Sequence, residues 1–299
     1  MLSVREPFQP AAVDPARVDV EPFAFNHSLQ RFAALGREEV CDLVKRLPEH
    51  QVAARTASAD TGADILSAHV EQPLQVPLQQ ALEQLEHANT YILVNRPELD
   101  PAIAEIYAEL TAELEVIAKH TNTRAQQATM FLFIASPHAV TPFHIDRYSA
   151  FLYQLHGRKD VHAWNPWGHD KLTNQQLEAF SNGSLKRTPV VEDLSGSIIN
   201  TIGPGEGVHI PLLSPHWVKN GDQVSISVSL HFTTRTTQQK LDAMCMNDVL
   251  RRWLHLEPTQ VGPRANARER IKASGFRGMN RLRAGPGSAQ QHLKRQASQ

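Results

Sequence analysis

Apolar positions along the chain follow two different periods. Over residues 37–47, REEVCDLVKRL, Val40, Leu43, Val44 and Leu47 fall on one helical face that Pro48 ends. Pro77 to His87 repeats the pattern with Leu78, Ala81, Leu82 and Leu85. TYILVNR, Thr90 to Arg96, then reads as a short buried strand. A longer helix opens at Pro101 and runs to about Lys119, with Ile103, Ile106, Leu110, Leu114 and Ile117 at helical spacing. From about residue 124 the period shortens. ATMFLFIA, SAFLYQL, DVHAW, SIINTI, VHIPLL and VSISVSLHF are brief apolar or alternating runs parted by turns. Between Asn165 and Asp193 lies a polar interlude with room for one short helix capped by Thr173. Helical spacing returns from Thr237 to Leu256 through Leu241, Met244, Val249, Leu250 and Trp253. The pattern predicts a mainly β fold with flanking α-helices, a sandwich or barrel for which a double-stranded jelly roll is the natural candidate. It divides the chain into an N-terminal helical and extended region with an early strand (1–120), a β core (121–236), and a C-terminal helix with a basic tail (237–299). No internal repeat is found.

Chemistry concentrates in TPFHIDRYSAFLYQLHGRK, Thr141 to Lys159. His144 and Asp146 are two residues apart, so on a strand both side chains point to one face. An imidazole and a carboxylate, joined by a third ligand, make the 2-His-1-carboxylate face that suits non-heme Fe(II). His-x-Asp is a weak motif in a chain of 299 residues with 15 histidines, and His69/Glu71 and His255/Glu257 have the same spacing. The third ligand is expected late in the barrel, where GPGEGVHIPLLSPHWVKN offers His209 and His216. His216 is favoured because it follows a proline at a strand start after a turn-rich loop, which aims a side chain at a barrel mouth. His209 lies within a strand and can equally point away.

Composition narrows the setting. A hydrophobic fraction of 41% suffices for a core, and a formal net charge of -1 argues against an electrostatic nucleic-acid binder. Cys41 and Cys245 are far apart and form no CxxC pair, which points to a reducing cytoplasm without disulfides. MLSVREPFQP lacks an apolar signal core, and no run of 18 apolar residues occurs, so a soluble cytoplasmic protein is expected. The segment 260–299 holds nine Lys/Arg against the single Glu269. Its Gly, Ser, Gln and Ala content reads as a solvated, partly disordered end rather than a nucleic-acid arm.

TPFHID, the QLHGRK corner, and PGEGVHIP followed three residues later by PHWV appear in that order. Together they resemble the JmjC and cupin-like Fe(II)/2-oxoglutarate oxygenases, in particular the asparaginyl hydroxylases acting on hypoxia-inducible factor. The resemblance covers about residues 90–235. It implies a double-stranded β-helix with iron held by His144, Asp146 and His216. It also implies 2-oxoglutarate as cosubstrate, its distal carboxylate met by Lys159, Thr141 and Tyr91. A hydroxylase of a protein, peptide or small-molecule C–H bond follows, with a homodimer built through C-terminal helices. His231 and Ala150 stand where the resembled enzymes carry asparagines, which leaves the substrate open. The alternative is a cupin-like module that binds or regulates without catalysis.

Overall fold

The computed structural model describes residues 13–284, apart from 59, 62–73, 75, 88 and 265. Among the described residues the strands are β1 (Phe23–Asn26), β2 (Val52–Thr56), β3 (Thr90–Asn95), β4 (Ala125–Ala135), β5 (Val140–His144), β6 (Ser149–His156), β7 (Lys159–Ala163), β8 (Ile198–Ile202), β9 (Glu206–Ile210), β10 (His216–Asn220) and β11 (Ser225–Thr234). The helices are α1 (Arg37–Arg46), α2 (Leu78–Glu83), α3 (Pro101–His120), α4 (Asn174–Ser181), α5 (Arg235–Leu254) and α6 (Ala267–Ala284). Strands pair antiparallel into a seven-stranded sheet, β1-β9-β6-β11-β4-β3-β2, and a four-stranded sheet, β5-β10-β7-β8. From β4 to β11 the chain passes back and forth between the sheets, and only β7 and β8 are consecutive strands of one sheet. That winding is the double-stranded β-helix expected from the sequence.

The alternation along the strands decides which side faces what. In β11, Ile226, Val228, Leu230 and Phe232 belong to a large core shared with Ile103, Ile106, Leu110, Leu114 and Ile117 of α3 and Val40, Leu43 and Val44 of α1. The intervening Ser225, Ser227, Ser229 and His231 therefore point to the other face, into the barrel. There a smaller cluster of Ala150, Leu152, Val161, Ile202, Val208, Ile210 and Val218 fills the space between the sheets. Asp100 caps α3 by accepting from the Ala102 N–H at 2.9 Å, with Pro101 in the first turn. Thr173 caps α4, as the sequence indicated, and Gln176 completes a reciprocal capping box with it.

The chain forms two compact units, one running to Lys171 and resuming over Arg187–Arg235, the other made of Leu172–Lys186 and the chain from Thr236. In the second unit, Glu178 of α4 is buried and accepts from Asn247 Nδ2 and Arg251 Nε of α5, both at 2.7 Å. Arg277 Nε of α6 reaches Asp242 of α5 at 2.5 Å. The basic segment after Gln260, read from its composition as solvated and partly disordered, thus contains the helix α6. Its Arg277 finds an acidic partner on α5, and Ala273 and Glu269 are buried. Two strands escaped the sequence reading. β1 and β2 have four and five residues, too short for periodicity, and are fixed by pairing with β9 and β3.

Candidate metal and cosubstrate site

His144 is the last residue of β5 and His216 the first of β10, and they are direct cross-strand partners. Their rings lie 4.0 Å apart, centroid to centroid. Register slips between His216 and Val218, so β5 carries one extra residue beside Pro142. A proline cannot donate to the ladder, and a bulge is where a strand tolerates it. Spacing alone puts Asp146 on the same strand as His144, two residues along. In the structure Asp146 lies past the end of β5, in the loop to β6. Its position comes from tertiary contact instead: its carbonyl accepts the Leu213 N–H at 3.0 Å, from the β9–β10 turn that also delivers His216. Leu213 adopts a left-handed φ of 59°, and Ser214 Oγ donates to the Trp164 carbonyl at 2.5 Å.

The ligand-capable atoms of His144, Asp146 and His216 all lie within 4.8 Å of one another. Asp146 Oδ2 is 3.7 Å from His144 Nε2 and 3.6 Å from His216 Nε2. Each Nδ1 is engaged with a backbone carbonyl, His144 with Pro142 at 2.8 Å and His216 with Ser214 at 2.9 Å. A carbonyl can only accept, so both Nδ1 atoms carry the proton and both Nε2 lone pairs converge on Asp146. Burial, aided by the charge of His144 and opposed by Asp146, pulls His216 down to about 3, so it is a neutral ring ready to ligate. Burial works against the charge on Asp146. The rings of His144, His216 and His231 and a hydrogen bond with Tyr148 outweigh it and hold the carboxyl below its usual range. Two imidazoles and one carboxylate on one face fit a divalent iron. No other such group of three occurs among the described residues. Of the competing pairs, His69/Glu71 lies outside the described residues. His255 is exposed, and Glu257 is engaged with Arg251.

Lys159 opens β7 just past the corner where the chain leaves the large sheet for the small one. Gly157 makes that corner with φ 68°, and a Cβ there would sit 2.3 Å from the Val224 carbonyl oxygen. The lysine is buried, 7% exposed, and its Nζ donates to Ser227 Oγ at 2.8 Å. No carboxylate pairs with it among the described residues, and burial alone takes it from 10.5 to about 7. A buried cation held by one neutral hydroxyl is costly unless an anion joins it. Thr141, on β5, hydrogen-bonds with the hydroxyl of Tyr91, on β3. His209, the alternative third ligand, is excluded by its contacts: its Nε2 accepts the Asp19 N–H and its Nδ1 meets the Ala150 carbonyl, both at 3.0 Å.

Three residues near the ligands had no distinguishing signal in the sequence. Tyr148 hydrogen-bonds Asp146 and stacks on His231, ring centroids 4.2 Å apart. Ser227 was one of three alternating serines in a strand, and only its pairing with Lys159 singles it out. Arg55 lies 4.1 Å over the Tyr91 ring. His231 faces the barrel opposite Ala150 with a buried Nδ1 that meets no hydrogen-bond partner among the described residues.

Winding, register and a two-histidine, one-carboxylate face define a jelly-roll protein with a mononuclear metal site. The family model of the cupin-like domain matches residues 24–238, and the chain belongs to that family. No curated protein matches it in sequence. Solved structures that resemble it include E. coli ycfD, with 16% identity, a TM-score of 0.47, and coverage of 88% of this chain and 65% of that one. Another is YcfD, a ribosomal oxygenase from Escherichia coli, in complex with cobalt and 2-oxoglutarate, at 17% identity, TM-score 0.47, and coverage of 92% and 68%. The same protein with cobalt and succinic acid gives 18%, 0.44, 93% and 67%. The chain spans about two thirds of the length of these proteins.

Proposed function

We propose that the protein is an Fe(II)- and 2-oxoglutarate-dependent oxygenase that hydroxylates a C–H bond of a protein, peptide or small molecule. The observation that carries this reading is the combination of three converged ligands with a buried lysine that has no carboxylate partner among the described residues. A non-catalytic binding module has no use for both. His144, Asp146 and His216 would hold the iron, and Lys159, Thr141 and Tyr91 would receive the distal carboxylate of 2-oxoglutarate. When bound, iron and cosubstrate supply the activation of O2, with 2-oxoglutarate converted to succinate and CO2. The chain's part is to orient. Carbonyl-anchored Nδ1 atoms fix both rings, Tyr148 fixes the carboxylate, and the apolar interior around Val161, Val208 and Val218 keeps water from the cosubstrate.

The reading extends to setting and assembly. No helix among the described residues is long and apolar enough to cross a membrane, and Cys41 and Cys245, neither of them in a disulfide, suit a cytoplasmic location. Trp253, Leu254 and Leu256 are exposed at the end of α5, and a second copy covering them is the homodimer we infer. The net charge disfavours nucleic acid as the substrate. The test is iron-dependent conversion of 2-oxoglutarate to succinate without added substrate, followed by a search of cell extract for products heavier by one oxygen. Iron uptake with no turnover of 2-oxoglutarate, with or without extract, would establish the binding module instead.

A further inference from the structure

Arg55 and Tyr91 are direct cross-strand partners on β2 and β3, so both side chains stand on the same face of the large sheet. Arg55 is buried, its guanidinium 4.1 Å over the Tyr91 ring and hydrogen-bonded to the Tyr91 hydroxyl. The same hydroxyl bonds Thr141 on β5. Thr141 is opposite Val218 and Lys159 is two residues before Val161, and both valines belong to the barrel's interior cluster. A row of polar groups therefore leads from the sheet's edge strand, through Tyr91, to Thr141 on the interior face of the small sheet, the face that also carries Lys159.

The chemistry of the row is directional. A guanidinium has five donors and no acceptor, so its bond to Tyr91 occupies a lone pair of the phenol oxygen. The phenol hydrogen is then left to donate, and the acceptors within reach are Thr141 and any carboxylate beside it. A charged donor in a dry interior also strengthens the donor it polarises. We propose that Arg55 is a positioning residue for the distal carboxylate of 2-oxoglutarate, acting through Tyr91 by holding its ring and committing its hydroxyl to donation. The role rests on the reading of this pocket as a 2-oxoglutarate site, and it adds a residue that does not itself touch the cosubstrate.

Comparison of two oxoacids tests it. 2-Oxopentanoate has the same metal-chelating end as 2-oxoglutarate but lacks the distal carboxylate. Binding of each to the full-length, cobalt-loaded protein is measured by calorimetry for wild type, Arg55→Gln, Arg55→Lys, Tyr91→Phe and the Arg55→Gln/Tyr91→Phe double variant. Arg55→Gln should weaken 2-oxoglutarate about tenfold, the loss of roughly one hydrogen bond, and leave 2-oxopentanoate within about twofold of wild type. Arg55→Lys should recover part of the difference, because it keeps the charge and loses the fork. In the Tyr91→Phe background Arg55→Gln should change the preference no further. Equal weakening of both oxoacids, an unchanged preference, or additive effects of the two substitutions would overturn the proposal. If Arg55→Gln does not fold, Arg55→Lys and Tyr91→Phe carry the same comparison, and an unchanged preference in both overturns it. Failure of the wild type to prefer 2-oxoglutarate would remove the pocket and the role of Arg55 together. A wild-type preference that survives Arg55→Gln removes only the latter.

Discussion

Replacing Lys159 by methionine should push stability and ligand affinity in opposite directions. The lysine is 7% exposed, has Ser227 as its hydrogen-bond partner, and is brought by burial from 10.5 to about 7. Its folded value lies below its unfolded one, so the unfolded chain holds the extra proton between pH 7 and 10.5. Stability of the ligand-free protein therefore rises with pH across that window, and the cost of burying the charge is fully present below about 7. A shift of this size corresponds to a cost on the order of 5 kcal/mol. Methionine keeps much of the volume and removes the charge, so Lys159→Met should be more stable than wild type at or below pH 7 by up to that amount, less the lost bond to Ser227. Removing one partner of a buried, hydrogen-bonded charge pair costs about 3–5 kcal/mol. The requirement for 2-oxoglutarate should accordingly rise at least about a hundredfold, with iron binding near wild type. Urea unfolding of the ligand-free protein reads the first effect, and calorimetric titration with 2-oxoglutarate reads the second. A variant that is less stable than wild type and binds 2-oxoglutarate equally well would refute the reasoning at both points.

Other expectations are more direct. His144→Ala and Asp146→Ala should abolish metal uptake measured by equilibrium dialysis, whereas His255→Ala should leave it intact. Thr141→Val should weaken 2-oxoglutarate by about 1.5–3 kcal/mol, one hydrogen bond to a charged group, and Lys159→Arg should restore only part of the affinity lost in Lys159→Ala, as competition binding would show. Burial takes His209 to about 3, below its unfolded value of 6.5, so its contribution to stability is present above 6.5 and lost as pH falls toward 3. His209→Gln should reduce the pH slope of stability in that window by about 1.4 kcal/mol per unit, and an unchanged slope in chemical unfolding would contradict the assignment. Sedimentation should find a dimer at micromolar concentration that Trp253→Glu with Leu254→Glu dissociates; a wild-type monomer would exclude it.

Much of this protein is legible in the order of its residues. Helical periodicity marked α1 and α3, and the change of period at about residue 124 marked the barrel. Flanking motifs resembling those of the JmjC and cupin-like oxygenases picked His144, Asp146 and His216 from competing pairs of the same spacing, and the same resemblance pointed to Lys159. These are local signals, carried by side-chain period, turn chemistry and short spacing. Tertiary structure alone decided the rest. β1 and β2 are too short to have a period and exist because β9 and β3 offer them hydrogen bonds. Asp146 reaches the metal face through a turn 67 residues further on, at Leu213, and not through the pleat of its own strand. The segment after Gln260 has the composition of a solvated tail, yet it holds a helix in which Arg277 meets Asp242 of α5 and Ala273 is buried. Ser227, Tyr148 and Arg55 matter only through what lies across from them. Partners distant in sequence leave no spacing to read, since chain folding, rather than local geometry, fixes the distance between them.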